Sequence, residues 1–463
     1  MMNNHRGYLL GTAAVCALVA GATSASAGGF ALREQSTSSQ GASFAGNAAS
    51  PDISAMFWNP AAAANKNGTN SESSYSLIVP RGELNVTSAS HPTNATLNGA
   101  INSASFGNTS GDIGSLALLG ASYFSYQFVN YDPNLFLAIA MNSPFGLKTD
   151  LDRNYDTYKG SVVGRETKLL TMSLNPTLAY RLSDSLSVGV GAQLQYGKGR
   201  FSFATGLPSG QDSRFDGTGL AVGATAGLMW KPAAGTTIGL GWRSQLSQDL
   251  DGAYINTPGA APGANAALPP GLRTVNASTT IELPNIVTLS LRQQVTSNTR
   301  VLGTVEWSQW SRLKELRVVS TGESVGAASG VLIPNSTGSA TIGAVPGTVI
   351  GVLPAQWSDG WFFALGGEYD VNKQLTVRAG GAYEVSPIDA PRKRLIGIPD
   401  NDRIWASAGA TYKWSETLSF DIAYTHLFVK DSQFDRESLS GFRVQGTVDA
   451  STDIVSVSMK TKW

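Results

Sequence analysis

The 463-residue chain carries 33 Lys and Arg against 33 Asp and Glu, and charged residues make up only 14% of it. Neutrality gives no support for a nucleic-acid binder or a polybasic membrane patch, while low charge with 51 glycines suits strands facing lipid on one side, or a secreted β-solenoid. The single cysteine, Cys16, excludes a disulfide framework.

In chain order, residues 1–27 combine a short cationic head at Arg6, an apolar run and Ala25-Ser26-Ala27, the pattern of a cleaved Sec signal peptide. Cys16 leaves with it. Val15 and the apolar run continuing past Cys16 argue against lipidation. No later apolar run approaches the roughly 18–20 residues of a membrane helix. Residues 28–72 differ in pattern from the remainder of the chain: small and polar residues around Phe44, then Met56-Phe57-Trp58-Asn59-Pro60-Ala61 and an Ala-rich run that reads as a short helix. The segment is too small to bury a core alone, and a barrel lumen is the natural support for it.

Residues 73–463 alternate with period two. About fourteen strands are expected, at 73–81, 116–128, 134–142, 165–181, 185–204, 216–230, 235–250, 278–292, 299–319, 360–371, 374–386, 403–414, 417–430 and 451–463. Short connections come after the even strands and long ones after the odd strands, the layout of periplasmic turns and external loops. The expected fold is therefore all-β and transmembrane: an antiparallel outer-membrane β-barrel of about fourteen strands with a small N-terminal hatch, or plug, in its lumen. Both termini are periplasmic, in a Gram-negative outer membrane. Closure satisfies every backbone group that lipid cannot. Trp230, Trp242, Trp307, Trp405 and Trp414 fall near strand ends, as interfacial girdles do. The last strand places Val455, Val457, Met459, Thr461 and Trp463 on one face, and a terminal aromatic resembles the signal read by the barrel assembly machinery.

Gly28-Gly29-Phe30-Ala31-Leu32, Gly41-Ala42-Ser43-Phe44-Ala45-Gly46 and Phe57-Trp58-Asn59-Pro60-Ala61 resemble the opening of the outer-membrane long-chain fatty-acid transporter family (FadL type), which includes aromatic hydrocarbon importers. Trp242-Arg243-Ser244, Leu283-Pro284, Trp307-Ser308-Gln309 and Ile398-Pro399-Asp400-Asn401-Asp402-Arg403-Ile404-Trp405 extend the resemblance over nearly the whole mature chain. It implies a fourteen-stranded barrel with a hatch, uptake of hydrophobic small molecules, and sideways release at a kinked third strand. Here that strand ends in Asn142-Ser143-Pro144-Phe145-Gly146; Pro144 and Gly146 suit a break in pairing or simply a strand end.

The resemblance makes Lys198 and Arg200 candidates for a carboxylate head group. Parity instead puts them on the lipid face, where lipopolysaccharide phosphates are their partners unless a bulge at Gly197 or Gly199 turns them inward. Phe30, Leu32, Phe44, Phe57 and Trp58 line a substrate site or pack the hatch. Phe145, Leu147, Leu151, Tyr155 and Tyr158 offer a capture surface. Asn59, Pro60 and Ala61 read as a hatch turn; Pro399, Asp400, Asp402 and Arg403 read as residues ordering an external loop. A monomer is expected, with no cofactor and no metal. A hydrolase would need a base beside a serine; the mature chain offers His91 and His426, and the Gly-x-Ser-x-Gly string at 322–326 lacks a strand-to-helix setting. No catalytic residue is assigned, and a passive porin is the remaining alternative.

Overall fold

The computed structural model describes residues 28–463 except 113, 151–156, 205–211, 257–272, 326–330, 336–337, 343–345 and 439–440. The leader expected over residues 1–27 lies outside the described residues. Fourteen antiparallel strands form the wall: β1 Thr69–Ser90, β2 Ala117–Gln127, β3 Leu135–Asn142, β4 Glu166–Ser183, β5 Leu186–Ala204, β6 Asp212–Ala233 and β7 Thr236–Arg243 with Leu246–Asn256. They continue as β8 Arg273–Leu283 with Ile286–Gln294, β9 Thr299–Ser308 with Glu315–Val325, β10 Gly360–Asp370, β11 Leu375–Val385, β12 Arg403–Lys413, β13 Leu418–Val429 with Ser432–Glu437 and β14 Arg443–Lys462. β3 resumes as Gly146–Asp150, and Val349–Pro354 precedes β10.

Each strand pairs with its sequence neighbours. β14 closes the barrel on β1 in a register running from Asn70 opposite Lys462 to Ser90 opposite Arg443. No sheet edge is left along that seam, which is the condition for a β-structure in lipid. β1 begins at Thr69, before the expected 73, and runs with β14 well beyond the expected ends.

Parity sorts the side chains. On β5, Val190, Leu194 and Tyr196 are exposed while Gln193 and Gln195 are buried. On β14, Val455, Val457, Met459 and Trp463 face outward and Ser456, Ser458 and Lys460 inward. The exposed face suits lipid, and the buried polar residues line a lumen. Trp230, Trp242 and Trp414 lie on the outer wall. Trp405 corrects the expected girdle: it is fully buried and donates its indole N–H to Glu384 Oε2 at 3.1 Å.

Residues 28–68 lie inside the wall. Helix α1, Thr37–Gln40, is capped by Ser36, whose side chain accepts from the Ser39 N–H. Three short 3₁₀ turns come next, Asn47–Ala49, Ile53–Phe57 and Pro60–Ala64. Their apolar side chains form one core with lumenal residues such as Leu119, Phe136, Ala179, Leu302, Phe362, Leu427 and Ile454. Lumen-facing glycines let the two backbones approach. A methyl group at Gly239 would overlap the Ala48 carbonyl, one at Gly241 the Trp58 carbonyl, and one at Gly380 the Ala42 carbonyl. Ser43 and Phe44 hold φ of 51° and 61°, a left-handed conformation that non-glycine residues keep only when their surroundings fix it. Here the Ser43 hydroxyl contacts Ser407 at 2.7 Å and Gly380 O at 2.9 Å, and Phe44 packs edge-on to Trp405 at 5.7 Å.

Candidate functional site

The wall is irregular at β3. Asn142 pairs with Ser173 of β4 and Gly146 with Leu170, so three residues, Ser143-Pro144-Phe145, stand opposite two. Pro144 has no N–H to give to a ladder, which favours a bulge at this place. The Thr171 hydroxyl accepts from the Phe145 N–H at 3.0 Å and so takes the place of a ladder carbonyl. On the other side, β2–β3 pairing is confined to Ser122–Gln127 with Phe136–Met141. Ala117 to Ala121 pair with β1 alone.

The N-terminal segment spans that interruption. Ala31 forms an antiparallel bridge with Phe145; Leu32 N–H donates to Pro144 O at 2.9 Å and Gly146 N–H to Phe30 O at 3.0 Å. Gln35 then joins the two strands, donating Nε2 to Ser143 O at 2.8 Å and accepting from the Tyr123 hydroxyl of β2 at 2.9 Å.

Phe30 enters an aromatic cage. Its ring lies 4.7 Å from Trp310, 5.8 Å from Trp357 and 6.2 Å from Phe145, edge-on or tilted, arrangements worth about 0.5–1.5 kcal/mol per pair beyond burial. Gly29 turns the chain into the cage at φ +72°, where a Cβ would stand 2.9 Å from the Trp357 ring; only glycine suits both constraints. Around the cage lies a second buried cluster that includes Leu147, Leu169, Phe215, Leu250, Ile281, Leu316, Ile350, Ile388 and Ile398. A water-filled barrel keeps its interior polar, whereas this part of the lumen is lined by packed apolar side chains.

Buried charges fix the segment. The Arg33 guanidinium meets Glu306 at 2.6 Å and Glu384 at 3.1 Å, and stacks on Phe362 at 3.9 Å. Burial opposes its charge, yet the two carboxylates hold it above the ordinary guanidinium range. Glu384 also meets Arg403 at 3.5 Å, Arg403 pairs with Asp400, and Asp400 Oδ2 accepts from the Gly29 N–H at 2.8 Å. Asp402 accepts from the Ser386 N–H at 3.1 Å. The run from Pro399 to Arg403 thus ties the start of the segment to β11 and β12 as well as shaping its own loop. At the far end Asp52 meets Lys460 at 2.5 Å and Lys66 at 3.1 Å. Burial would raise the Asp52 carboxyl, but these ammonium groups hold it well below its usual range. The Asn59 side chain accepts from the Ala61 N–H at 3.1 Å and donates to Ala48 O at 2.9 Å and Leu228 O at 3.0 Å, which bolts the Pro60 turn to β6.

Two further guanidinium groups stand over the apolar cluster. Arg394 donates to the carbonyls of Asp400 at 2.8 Å, Ile388 at 3.3 Å and Gln433, and Arg436 to those of Pro354 at 3.1 Å and Arg392. Both are buried, and among the described residues neither contacts a carboxylate. Burial pulls Arg394 down to about 10, so it is still charged at neutral pH.

The residues singled out in the sequence therefore separate. Phe30, Phe145 and Leu147 meet in the cage and its cluster, whereas Leu32, Phe44, Phe57 and Trp58 belong to the core of the N-terminal segment. Pro144 and Gly146 flank the bulge. Lys198 and Arg200 are not brought to this site. β5 keeps continuous register with β6 from Leu186 to Ala204, no bulge turns at Gly197 or Gly199, and both side chains point outward with Leu194 and Tyr196. Tyr158 is buried in an external cluster with Leu84, Val162 and Phe434, and Leu151 and Tyr155 lie outside the described residues. His91 packs edge-on against Phe442 at 5.1 Å, and His426 meets Asp453 at 2.7 Å on the outer wall; Gly326 of the serine string is outside the described residues. Trp310, Trp357, Arg394 and Arg436 escape a reading of the sequence. Their positions in loops and strand extensions carry no clear period-two signal, and the one hint of a buried Arg394 is the apolar Leu395-Ile396 beside it.

These features define a class, a single-chain outer-membrane β-barrel whose lumen holds the chain's own N-terminal segment. Residues 18–463 match the family model described as outer membrane protein transport protein (OMPP1/FadL/TodX), and the chain belongs to that family of transport proteins. It is 28% identical over 338 residues to the long-chain fatty acid transport protein of Escherichia coli O6:H1, covering 65% of this chain and 70% of that one. It is 27% identical over 473 residues to outer membrane protein P1 of Haemophilus influenzae, covering 95% and 94%. Among solved structures, a Pseudomonas aeruginosa FadL homologue shares the fold with a TM-score of 0.76 at 23% identity, over 94% of this chain and 99% of that chain. The Ralstonia pickettii toluene transporter TbuX does so with a TM-score of 0.60 at 15% identity, over 93% and 99%.

Proposed function

We propose that the mature protein, beginning at Gly28, takes up long-chain fatty acids or similar hydrophobic molecules, catalyses no reaction and releases its cargo sideways into the bilayer at the β3 break. The observation that carries this reading is the apolar cluster inside the lumen, with Arg394 and Arg436 at its rim bonded, among the described residues, to carbonyl oxygens. A carboxylate there would gain charge-assisted hydrogen bonds, and the acyl chain gains ~0.8 kcal/mol for each CH₂ kept out of water. That second term also favours a lateral exit, since leaving through the periplasmic end would return the chain to water. Residues 28–68 act as the hatch, Trp463 serves barrel assembly, and the protein works as a monomer.

The aromatic cage favours a second reading, import of aromatic hydrocarbons, which need no cation. The two are separated by replacing Arg394 and Arg436 with glutamine in the full mature protein. Oleate binding is expected to fall at least tenfold while toluene uptake is spared. Undiminished oleate binding would remove the head-group assignment, and loss of both solutes together would make the arginines structural. Lys198→Gln and Arg200→Gln are expected to leave oleate binding unchanged.

A further inference from the structure

On the outer wall, cross-strand register assembles a line of cations. Lys148 of resumed β3 stands opposite Lys168 of β4, Lys168 opposite Arg200 of β5, and Arg200 opposite Asp216 of β6. Lys198 lies two residues from Arg200 on the same face, diagonal to Lys168. Like charges directly opposite one another in a sheet are destabilising, so three cations in a row call for anions. Arg200 finds Asp216 at 2.5 Å and Glu166 at 3.3 Å. Lys168 and Lys198 contact no carboxylate among the described residues. Elsewhere on the rim the pattern differs: Arg81 meets Asp453 at 3.4 Å, Arg312 meets Glu282 at 2.6 Å and Arg443 meets Asp435 at 2.6 Å.

Height decides what anion could reach them. Lys198 is twelve residues along β5 from Leu186 beside the short turn, or roughly 30 Å up a strand tilted about 40°. That is just past an apolar band ~25 Å tall. Directly below stand Leu170, Leu194, Tyr196 and Leu220 on the same outward face, the last three exposed. Ammonium groups above an apolar wall match an amphiphile with an anionic head in the external leaflet.

We infer that Lys168 and Lys198, with Arg200 beside them, form a docking site for the phosphate groups of a multiply acylated glycolipid, the lipopolysaccharide of the external leaflet. The ligand's phosphates supply the counter-charge that the wall lacks between Lys168 and Lys198, and its acyl chains lie on the Leu170, Leu194 and Leu220 surface. The site is independent of the cargo in the lumen.

Native mass spectrometry of the full mature protein tests this with four probes: bisphosphorylated lipid A, the same lipid enzymatically dephosphorylated, phosphatidylglycerol and oleate. Wild type is expected to hold lipid A at least tenfold more tightly than its dephosphorylated form. Lys168→Gln with Lys198→Gln should lower lipid A binding at least tenfold, and Arg81→Gln on β1, three strands from Lys168, should not. The wild-type comparison needs no variant, so the inference stays testable even if the double variant fails to fold. Equal retention of the dephosphorylated lipid, or undiminished binding by a folded double variant, overturns the phosphate site. Equal binding of phosphatidylglycerol overturns the glycolipid, and oleate binding that depends on these lysines reassigns the site to cargo.

Discussion

Glu34 is buried beside Arg33, with Glu384 and Arg403 also near, and among the described residues one of its carboxylate oxygens has no hydrogen-bond partner. Burial pushes its carboxyl up to about 7 from an ordinary 4.5, against the pull of its own backbone and of Arg33. A raised folded-state pKa favours folding fully below about 4.5, and that advantage is lost as pH rises through about 7. The difference corresponds to something on the order of 3 kcal/mol at its limit. Amide exchange of residues 28–36, corrected for intrinsic chemical rates, should therefore accelerate between about pH 4.5 and pH 7 and level off above that, and Glu34→Gln should abolish that dependence. A flat profile in wild type would mean that Glu34 is ionised and paired throughout. At this scale the sequence is a poor guide. Glu34 sits in a polar stretch, and nothing in Arg33-Glu34-Gln35 distinguishes the paired side chain from the stranded one.

At the scale of elements, period two makes the strands legible because each side chain's face depends on its parity alone. Trp405 shows the limit of judging by residue type. Its parity is opposite to Ile404 and Ala406, which face outward, and parity is the better witness than a tryptophan near a strand end. Pro144 and Gly146 mark the place of the break in β3 but suit a plain strand end equally well. The element that closes it is not legible, because a bridge made of backbone hydrogen bonds at Phe30 and Leu32 leaves no mark on side-chain pattern. This bridge offers a clean test of lateral release. Ala31 and Phe145 are antiparallel partners, a spacing of about 4.5–5.5 Å between Cα atoms that a disulfide can span, and Cys16 is the chain's single cysteine. Ala31→Cys with Phe145→Cys, oxidised, is expected to lower labelled oleate uptake at least tenfold, with recovery on reduction, relative to Phe145→Cys alone. Uptake at the control rate in the oxidised protein would send the cargo elsewhere.

At the scale of the whole molecule, tight turns at one end and long loops at the other are enough to imply closure, since only a closed sheet satisfies its backbone in lipid. The glycine content is ambiguous by composition but becomes specific in place. Gly239 and Gly241 of β7 and Gly380 of β11 face the lumen, and each is met by a carbonyl of the N-terminal segment. A barrel wide enough for a plug needs these recesses so that wall and plug can touch backbone to backbone without a water-filled seam. Filling them should expel the segment without opening the wall, because the outward faces and the strand ladders are untouched. Gly241→Leu with Gly380→Leu is expected to keep the slow-unfolding, heat-modifiable mobility of a folded barrel while raising single-channel ion conductance in planar bilayers well above that of wild type. If the variant folds and still conducts no more than wild type, the N-terminal segment is not what closes the lumen, and the external loops would have to carry that role.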